Sequence, residues 1–306
     1  MRFAVAVITR RRPDGLARLF ASLDRLVATD GAAPLALSVI VVENDDRRSP
    51  LPASRWPCTH VLEPRAGIPL ARNRALDEAR RIKPCADWIA FVDDDETVDP
   101  SWLGALAHAA ARGDADILTG PARPVLPDPV PAWALQTRCY EQPDHPDGTR
   151  LQEAYTNNVA LRHGVVADPA CRFDDRLLKT GGSDTHLFRR LARDGHRIRW
   201  CAQAITFEHY PRSRMTRRWA LQRAYRVGAT NAWIMLDLHA ASRLGCIGVA
   251  LRYLARGVVR AVMSTLRGQV AAATMHTALD AAKAVGLVAG ALGIDRFEEY
   301  ATHHGT

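Results

Sequence analysis

The sequence predicts an α/β chain in which a mixed sheet flanked by helices is followed by a helical C-terminal region. Two observations carry this. From residue 3 to about residue 207, short runs rich in Val and Ile alternate with helical patterns, and beyond about Arg212 the pattern is wholly helical. The composition, 47% hydrophobic and 24% charged over 306 residues, is that of a folded chain able to bury a core plus a smaller appendage. The expected division is a domain over residues 1–211, with halves of about 1–120 and 121–211, and a basic amphipathic helical region over residues 212–306.

Taken in order, residues 3–9 read as a strand of buried type. A helix follows with Asp14 as its expected N-cap and Leu16, Leu19, Phe20, Leu23 and Leu26 on one face. Residues 37–42 form a second strand and 59–62 a short third. Residues 70–82 read as a helix stopped by Pro84, and 88–92 as a fourth strand. A helix over 100–112 and a strand over 117–121 come next. Residues 121–148, proline-rich and holding Trp133 and Tyr140, read as a surface loop or lid rather than core. Residues 156–161 return to strand character. Gly181-Gly182-Ser183 opens a helix bearing Leu187, Phe188 and Leu191, closed by Gly195, and residues 198–207 suggest a last strand pair. No internal repeat is visible.

The net charge of +8 is unevenly placed. Twelve basic residues, from Arg212 to Lys283, lie between Pro211 and Gly290, against only Asp237 and Asp280. Such a surplus suits a polyanionic partner. A nucleic-acid partner is not expected, because no recognised module or aromatic platform accompanies the charge. Arg252, Arg256, Arg260 and Arg267 fall within a stripe about 80° wide on a helix, with apolar residues around much of the remainder. Residues 242–268 therefore suit a membrane interface, the alternative being a helix packed on the first domain with a solvated basic face. Six scattered cysteines with no Cys-x-x-Cys pair argue against a disulfide framework or zinc site and favour a reducing cytoplasm. The N-terminal apolar run is too short for a signal peptide, and Arg10, Arg11 and Arg12 lie on its wrong side. No stretch reaches the roughly 18 apolar residues of a membrane span.

Ligands of open α/β sheets gather at the carboxyl ends of strands. Polar clusters stand at three such ends: Thr9 to Arg12, Glu43 to Asp46, and Asp93-Asp94-Asp95. Three consecutive carboxylates repel one another unless cations or donors compensate, and hard divalent ions such as Mn²⁺ or Mg²⁺ can bridge them to a diphosphate. A solvated acidic turn is the alternative for the run taken alone.

The order of these motifs resembles the family-2 inverting glycosyltransferases with a GT-A fold, over roughly residues 3–226. Val-Ala-Val-Ile-Thr-Arg-Arg-Arg-Pro at 5–13 is similar to the family's opening strand and turn. The match implies that Thr9 and Arg12 lie against the nucleotide. Val41-Val42-Glu43-Asn44-Asp45 resembles the acidic segment holding base and ribose. The family usually has Asp where Glu43 stands, which leaves open whether Glu43 or Asp45 touches the base. Arg65 to Asn73 resembles the Gly-Ile-x-x-Ala-Arg-Asn segment and places Arg72 near the diphosphate, against the alternative of an exposed helix arginine. By the same resemblance Asp93 and Asp94 face ribose and donor sugar, and Asp95 binds Mn²⁺ or Mg²⁺. Gly181-Gly182-Ser183-Asp184 matches the segment of the catalytic base, with Ser183 replacing the family's glutamate and Asp184 in the position of the base.

The residues support Asp184 independently. Ser183 is a suitable N-cap, which puts Asp184 in the first helical turn, where the helix dipole favours the ionised form that a base needs. An ordinary first-turn aspartate is the alternative. Asn158, after Asn157, would line the acceptor side or form a turn. His209 would offer a neutral imidazole to the metal, or be a surface or core histidine. Trp133 would stack on a sugar or anchor its loop.

The resemblance implies an inverting, metal-dependent hexosyltransferase using a nucleotide-diphosphate sugar, with a UDP-sugar favoured. Its acceptor is expected to be a glycan or lipid-linked hydroxyl in envelope polysaccharide or glycolipid assembly, on the cytoplasmic side and peripheral to the membrane. The Gln-x-x-Arg-Trp motif of processive members is not reproduced, so transfer of a single sugar is expected. A nucleotidyltransferase would carry a Gly-rich loop after its first strand, and Thr9-Arg10-Arg11-Arg12-Pro13 is not one. A non-catalytic, membrane-associated nucleotide-binding protein is the rival from another class.

Overall fold

The computed structural model describes residues 1–27, 35–178 and 180–294. Residues 295–306, the end of the expected helical region, lie outside the described residues.

Strands β1 (Arg2–Thr9), β2 (Ala36–Glu43), β3 (Cys58–Leu62) and β4 (Trp88–Phe91) run parallel in the order β3-β2-β1-β4. β1 is buried on both faces, and its side chains alternate between two cores. Phe3, Val5 and Val7 meet α1 (Pro13–Leu23) and α3 (Trp102–Ala111). Ala4 and Ala6 face Ala71, Ala75 and Ala79 of α2 (Ile68–Arg81), small residues that let helix and sheet approach closely. The sheet continues through β9 (Val159–Arg162), β6 (Ile117–Thr119), β10 (Ile198–Trp200) and β8 (Arg150–Leu151). β9 is antiparallel to both β4 and β6. Helices α5 (His163–Ala167) and α6 (Ser183–Arg193) cover the same face as α2.

A second, smaller sheet pairs β11 (Thr206–His209) antiparallel with β5 (Glu96–Val98) and parallel with β7 (Ala122–Val125). The pair expected over 198–207 is therefore two strands in different sheets. Residues 121–148 also differ from the expected surface lid. They contain β7 and α4 (Ala132–Thr137), and Trp133 and Tyr140 are buried with Tyr210, Ala220 and Met275. Helix caps shift as well. Arg12, not Asp14, precedes α1, and Pro13 takes the first helical position, where a missing N–H costs nothing.

The helical end comprises α7 (Arg217–Asp237), α8 (Arg243–Leu266) and α9 (Val270–Leu292), the first two capped by the Thr216 and Ser242 hydroxyls. α9 packs against α7, α8 and α4, which joins this region to the sheet domain. The α7–α9 contact depends on glycine: a Cβ on Gly286 would lie 2.0 Å from the Tyr225 carbonyl oxygen.

Candidate active site

The parallel register fixes the floor of the site. Thr9 pairs with Glu43 at the ends of β1 and β2, and β4 beside them leads into Asp93-Asp94-Asp95. Thr9, 3% exposed, donates its hydroxyl hydrogen to Asp94 Oδ2 at 2.8 Å. Arg12 donates from one Nη1 to Asp94 Oδ1 at 2.9 Å and Asp95 Oδ2 at 3.1 Å. The turn after β1 is thus bonded directly to the aspartate run. The backbone comes close as well, since a Cβ on Gly15 would sit 2.4 Å from the Asp94 carbonyl oxygen.

Beside this floor, Glu43 is 1% exposed and accepts from the Arg11 and Ser49 backbone N–H groups. Asp45 is chelated by Arg11, whose hydrogen bonds hold its carboxyl well below the usual range. Asn44, between them, accepts from the Gly67 N–H and donates to the Glu63 and Arg65 carbonyls, tying the loop before α2 to the end of β2.

Arg72 joins the two sides of the cleft. Lying in the first turns of α2, it is 8% exposed. Its Nη1 donates to Ser183 Oγ at 3.1 Å, and its Nη2 lies 3.9 Å from Asp93 Oδ1. The exposed-arginine alternative does not hold. Ser183 is not the cap: Gly182, at φ +79°, precedes α6, in a left-handed conformation that glycine adopts without strain. The Ser183 hydroxyl is used instead to accept from Arg72. Asp184 remains in the first helical turn, half-buried, with Oδ1 accepting from the Thr185 N–H at 2.8 Å.

The acidic run is more crowded than the sequence indicated. Burial pushes the Asp93 carboxyl up to about 7, against the pull of Arg72 and with help from Asp95, Asp94 and Glu208. Yet 41% of the Asp93 side chain stays open to the cleft, so water or a cation there draws it back toward ionisation. Asp94, also by burial, is pushed up to about 6. Glu96 is 0% exposed, accepts from the Asp93 N–H and the Thr206 hydroxyl, and is raised well above its ordinary range. Glu208 stands opposite Glu96 in the β5–β11 register and is raised by burial too. Sequence reading missed both glutamates. Each stands directly beside a site residue, Glu96 after Asp95 and Glu208 before His209. Arg214, equally missed, approaches Asp95 at 3.6 Å.

His209 donates its backbone N–H to the Asp95 carbonyl at 2.9 Å, and its Nε2 lies 3.1 Å from the Thr97 hydroxyl. Burial lowers its pKa and favours the neutral imidazole. Carboxylate oxygens and a neutral imidazole are the donor chemistry that a hard divalent cation takes, but the ligand atoms of these residues are not gathered as closely as those of one other cluster. A second cluster, Asp174, His186 and Asp237, has its ligand atoms within 4.8 Å of one another. There Arg176 already donates to both carboxylates, at 2.6 and 3.0 Å, and supplies the cation.

Two expected acceptor-side residues are placed elsewhere. Asn158 is 1% exposed; its oxygen accepts from Trp102 Nε1, and its amide hydrogens go to the Pro121 and Ala204 carbonyls. It pins the two sheets together and has no group left for a sugar. Trp133 is 7% exposed in the aromatic cluster with Tyr140, so anchoring, the other reading of this residue, is its role.

An α/β sheet with an acidic site at its central strand ends is the architecture of the nucleotide-sugar GT-A enzymes, and solved structures match it. S. aureus TarS 1-349 in complex with UDP aligns with a TM-score of 0.50 at 15% identity, covering 93% of this chain and 90% of that one. Its complex with UDP-GlcNAc gives 0.50 at 16% identity, with the same coverage. At such identity the likeness concerns the fold, which is GT-A with a C-terminal helical region. The model of Glycosyl transferase family 2 matches residues 4–168, more than half of the chain. The chain belongs to that family and is a glycosyltransferase. Along nearly its whole length it is also similar to the succinoglycan biosynthesis protein ExoM of Rhizobium meliloti (strain 1021), at 28% identity over 307 residues, 97% of this chain and 94% of the relative.

Proposed function

We propose that this protein is an inverting, metal-dependent glycosyltransferase that moves one sugar from a UDP-sugar to a hydroxyl of a lipid-linked glycan in envelope polysaccharide assembly, on the cytoplasmic face of the membrane. The observation that carries the reading is Arg72, whose guanidinium lies between Asp93 and the start of the helix bearing Asp184. Donor, leaving group and base would thereby share one cleft. The names of the similar proteins support the chemistry: succinoglycan biosynthesis for one, UDP and UDP-GlcNAc complexes for the other.

Residues 1–211 act as the catalytic domain, with the nucleotide-sugar side in about 1–120, the acceptor side in about 121–211, and the helices from 212 onward appended. Thr9 and Arg12 hold Asp94 and Asp95 in place, and Glu43 and Asp45 shape the wall for base and ribose. Asp93 and Asp94 face ribose and sugar. A Mn²⁺ or Mg²⁺ ion, when bound by Asp95 and His209, supplies positive charge to the diphosphate. Asp184 takes the proton from the acceptor hydroxyl, which attacks the anomeric carbon from the face opposite the nucleotide. Arg72 stabilises the departing diphosphate.

Asp184→Asn tests this reading. Transfer should fall by about 10²–10⁴-fold while UDP-sugar binding is kept, and the wild-type product should have the anomeric configuration opposite to the donor. Retained configuration, or an unimpaired variant, would remove Asp184 as the base of a single displacement.

A further inference from the structure

Among the described residues, α8 carries more large exposed hydrophobic side chains than any other element. Its inner face, formed by Cys246, Ala250, Gly257 and Ser264, is buried. Its outer face exposes Leu244 (78%), Leu251 (60%), Val258 (57%), Val262 (54%) and Leu266 (77%), with Val259 among its other apolar residues. At about 100° per residue these side chains and their neighbours span a sector roughly 140° wide, and no charged residue falls inside it. Arg252, Arg256, Arg260 and Arg267 follow along one border of that sector. The 24-residue helix is about 36 Å long at 1.5 Å per residue. An exposed apolar strip of this length on a soluble surface marks a contact with something else.

Charge selects the occupant. The two acids of the described tail are both used internally. Asp237 is taken by Arg176 and His186, and Asp280, 2% exposed, is paired with Arg256 and approached by Arg260. Among the described residues, the outward surface of this region is therefore basic and apolar with no exposed acid. Two copies packed through this strip would bring like-charged borders together, whereas anionic headgroups would neutralise them. No helix among the described residues is long and apolar enough to cross a membrane, which leaves a helix lying in the surface plane.

We propose that α8 is a docking helix for an anionic lipid surface. Leu244, Leu251, Val258, Val262 and Leu266 enter the acyl boundary, and the arginine border lies at the level of the lipid phosphates. The purpose of the contact rests on the lipid-linked acceptor proposed above; its geometry does not.

The test is vesicle flotation of the full chain with vesicles containing phosphatidylglycerol, with vesicles of phosphatidylcholine alone, and without lipid. The wild type should float with the anionic vesicles, bind phosphatidylcholine at least about tenfold more weakly, and be released by salt. The Leu251→Glu/Val258→Glu variant should lose at least about tenfold in vesicle affinity while keeping its solution UDP-sugar hydrolysis. If that variant misfolds, Arg252→Ala/Arg267→Ala serves instead, with an expected loss of about tenfold on anionic vesicles alone. No flotation of the wild type, or flotation indifferent to both variants, would overturn the proposal. So would a wild-type dimer in sedimentation that Leu251→Glu/Val258→Glu turns into a monomer without any vesicle binding, which would make the strip an interface between copies. Vesicle binding without UDP-sugar hydrolysis would instead count against the catalytic reading and leave the docking helix standing.

Discussion

The strand-end site and the helical tail dispose of charge and apolar surface in opposite ways. In the sheet domain charge is turned inward. Asp94, Glu96, Glu43 and Arg72 are all buried, and each is hydrogen-bonded to another side chain or to a backbone group, across sequence separations of up to 111 residues. In the tail apolar residues are turned outward. Of the large exposed hydrophobic side chains among the described residues, three precede residue 212 and nine lie on α8 alone. Buried charge without full pairing is costly, and so is exposed apolar surface. The proposed partners meet this contrast in different ways, a cation at the site and an anionic lipid surface at the tail.

Arg72→Ala is expected to have the largest effect on that contrast. It removes the charge facing the leaving group and the link between Asp93 and Ser183, so kcat should fall by about 10²–10³-fold. Arg72→Lys should recover little, because a point charge cannot serve both neighbours as the planar fork does. Steady-state kinetics with a saturating acceptor would show it. A variant within about threefold of the wild type would mean that the buried charges of the site are structural.

Asn158→Ala comes next, as a loss of stability rather than of chemistry. Trp102 Nε1 and the Ala204 carbonyl would lose their Asn158 partner, and the Pro121 carbonyl would keep only the Thr206 N–H, at a cost of about 2–4 kcal/mol in denaturant unfolding. UDP-sugar affinity of the folded fraction should be unchanged. Altered affinity with intact stability would return Asn158 to the ligand side of the molecule.

The pH dependence sharpens the site half of the comparison. Asp93 and Asp94 are held above their ordinary value of 3.8, at about 7 and about 6. The folded chain therefore keeps their protons after the unfolded chain has released them. Stability from these groups is full below about pH 4 and declines as the pH rises through 6 and 7. His209, held low by burial, acts in the opposite sense within this range, so the informative quantity is the wild type minus Asp94→Asn. That difference should fall between pH 4 and 7 when followed by denaturant unfolding. Added Mn²⁺ should stabilise the wild type increasingly over the same window, because it binds the ionised carboxylates. A flat difference curve would show that the acids are solvated and that no cation is needed to hold them together.

How much of this was legible in the sequence depended on the range of the interactions. Strands β1, β2 and β4 could be read because both their faces are buried and their apolar runs are continuous. Their ends then placed Thr9, Glu43 and the aspartates together. Arg72 and Asp184 were legible through motif order. Glu96 and Glu208 were not, because their pairing depends on the β5–β11 register across 112 residues, for which local sequence gives no sign. Trp133 and Asn158 were each open to two readings for a related reason: a proline-rich stretch and an Asn pair look like surface until the partners that bury them arrive, Tyr210, Ala220 and Met275 for Trp133, and Trp102, Pro121 and Ala204 for Asn158. Ser183 fits the statistics of an N-cap, but the glycine before it takes the turn and frees its hydroxyl for Arg72.

The smallest expected effect tests the other half. Leu251→Glu places a charge on an apolar face, a change that in either sheet core would cost several kcal/mol. On α8 the side chain is already 60% exposed. Little buried area is lost, no polar partner is stranded, and glutamate is a good helix former. Unfolding free energy in the absence of lipid should thus change by no more than about 0.5 kcal/mol. A loss of more than about 2 kcal/mol would mean that this face is covered in solution, and the contrast between an inward-charged site and an outward-apolar tail would fail at its tail end. A near-zero change, combined with loss of vesicle binding, would separate the two roles: the apolar strip contributes to where the enzyme works and almost nothing to how it folds.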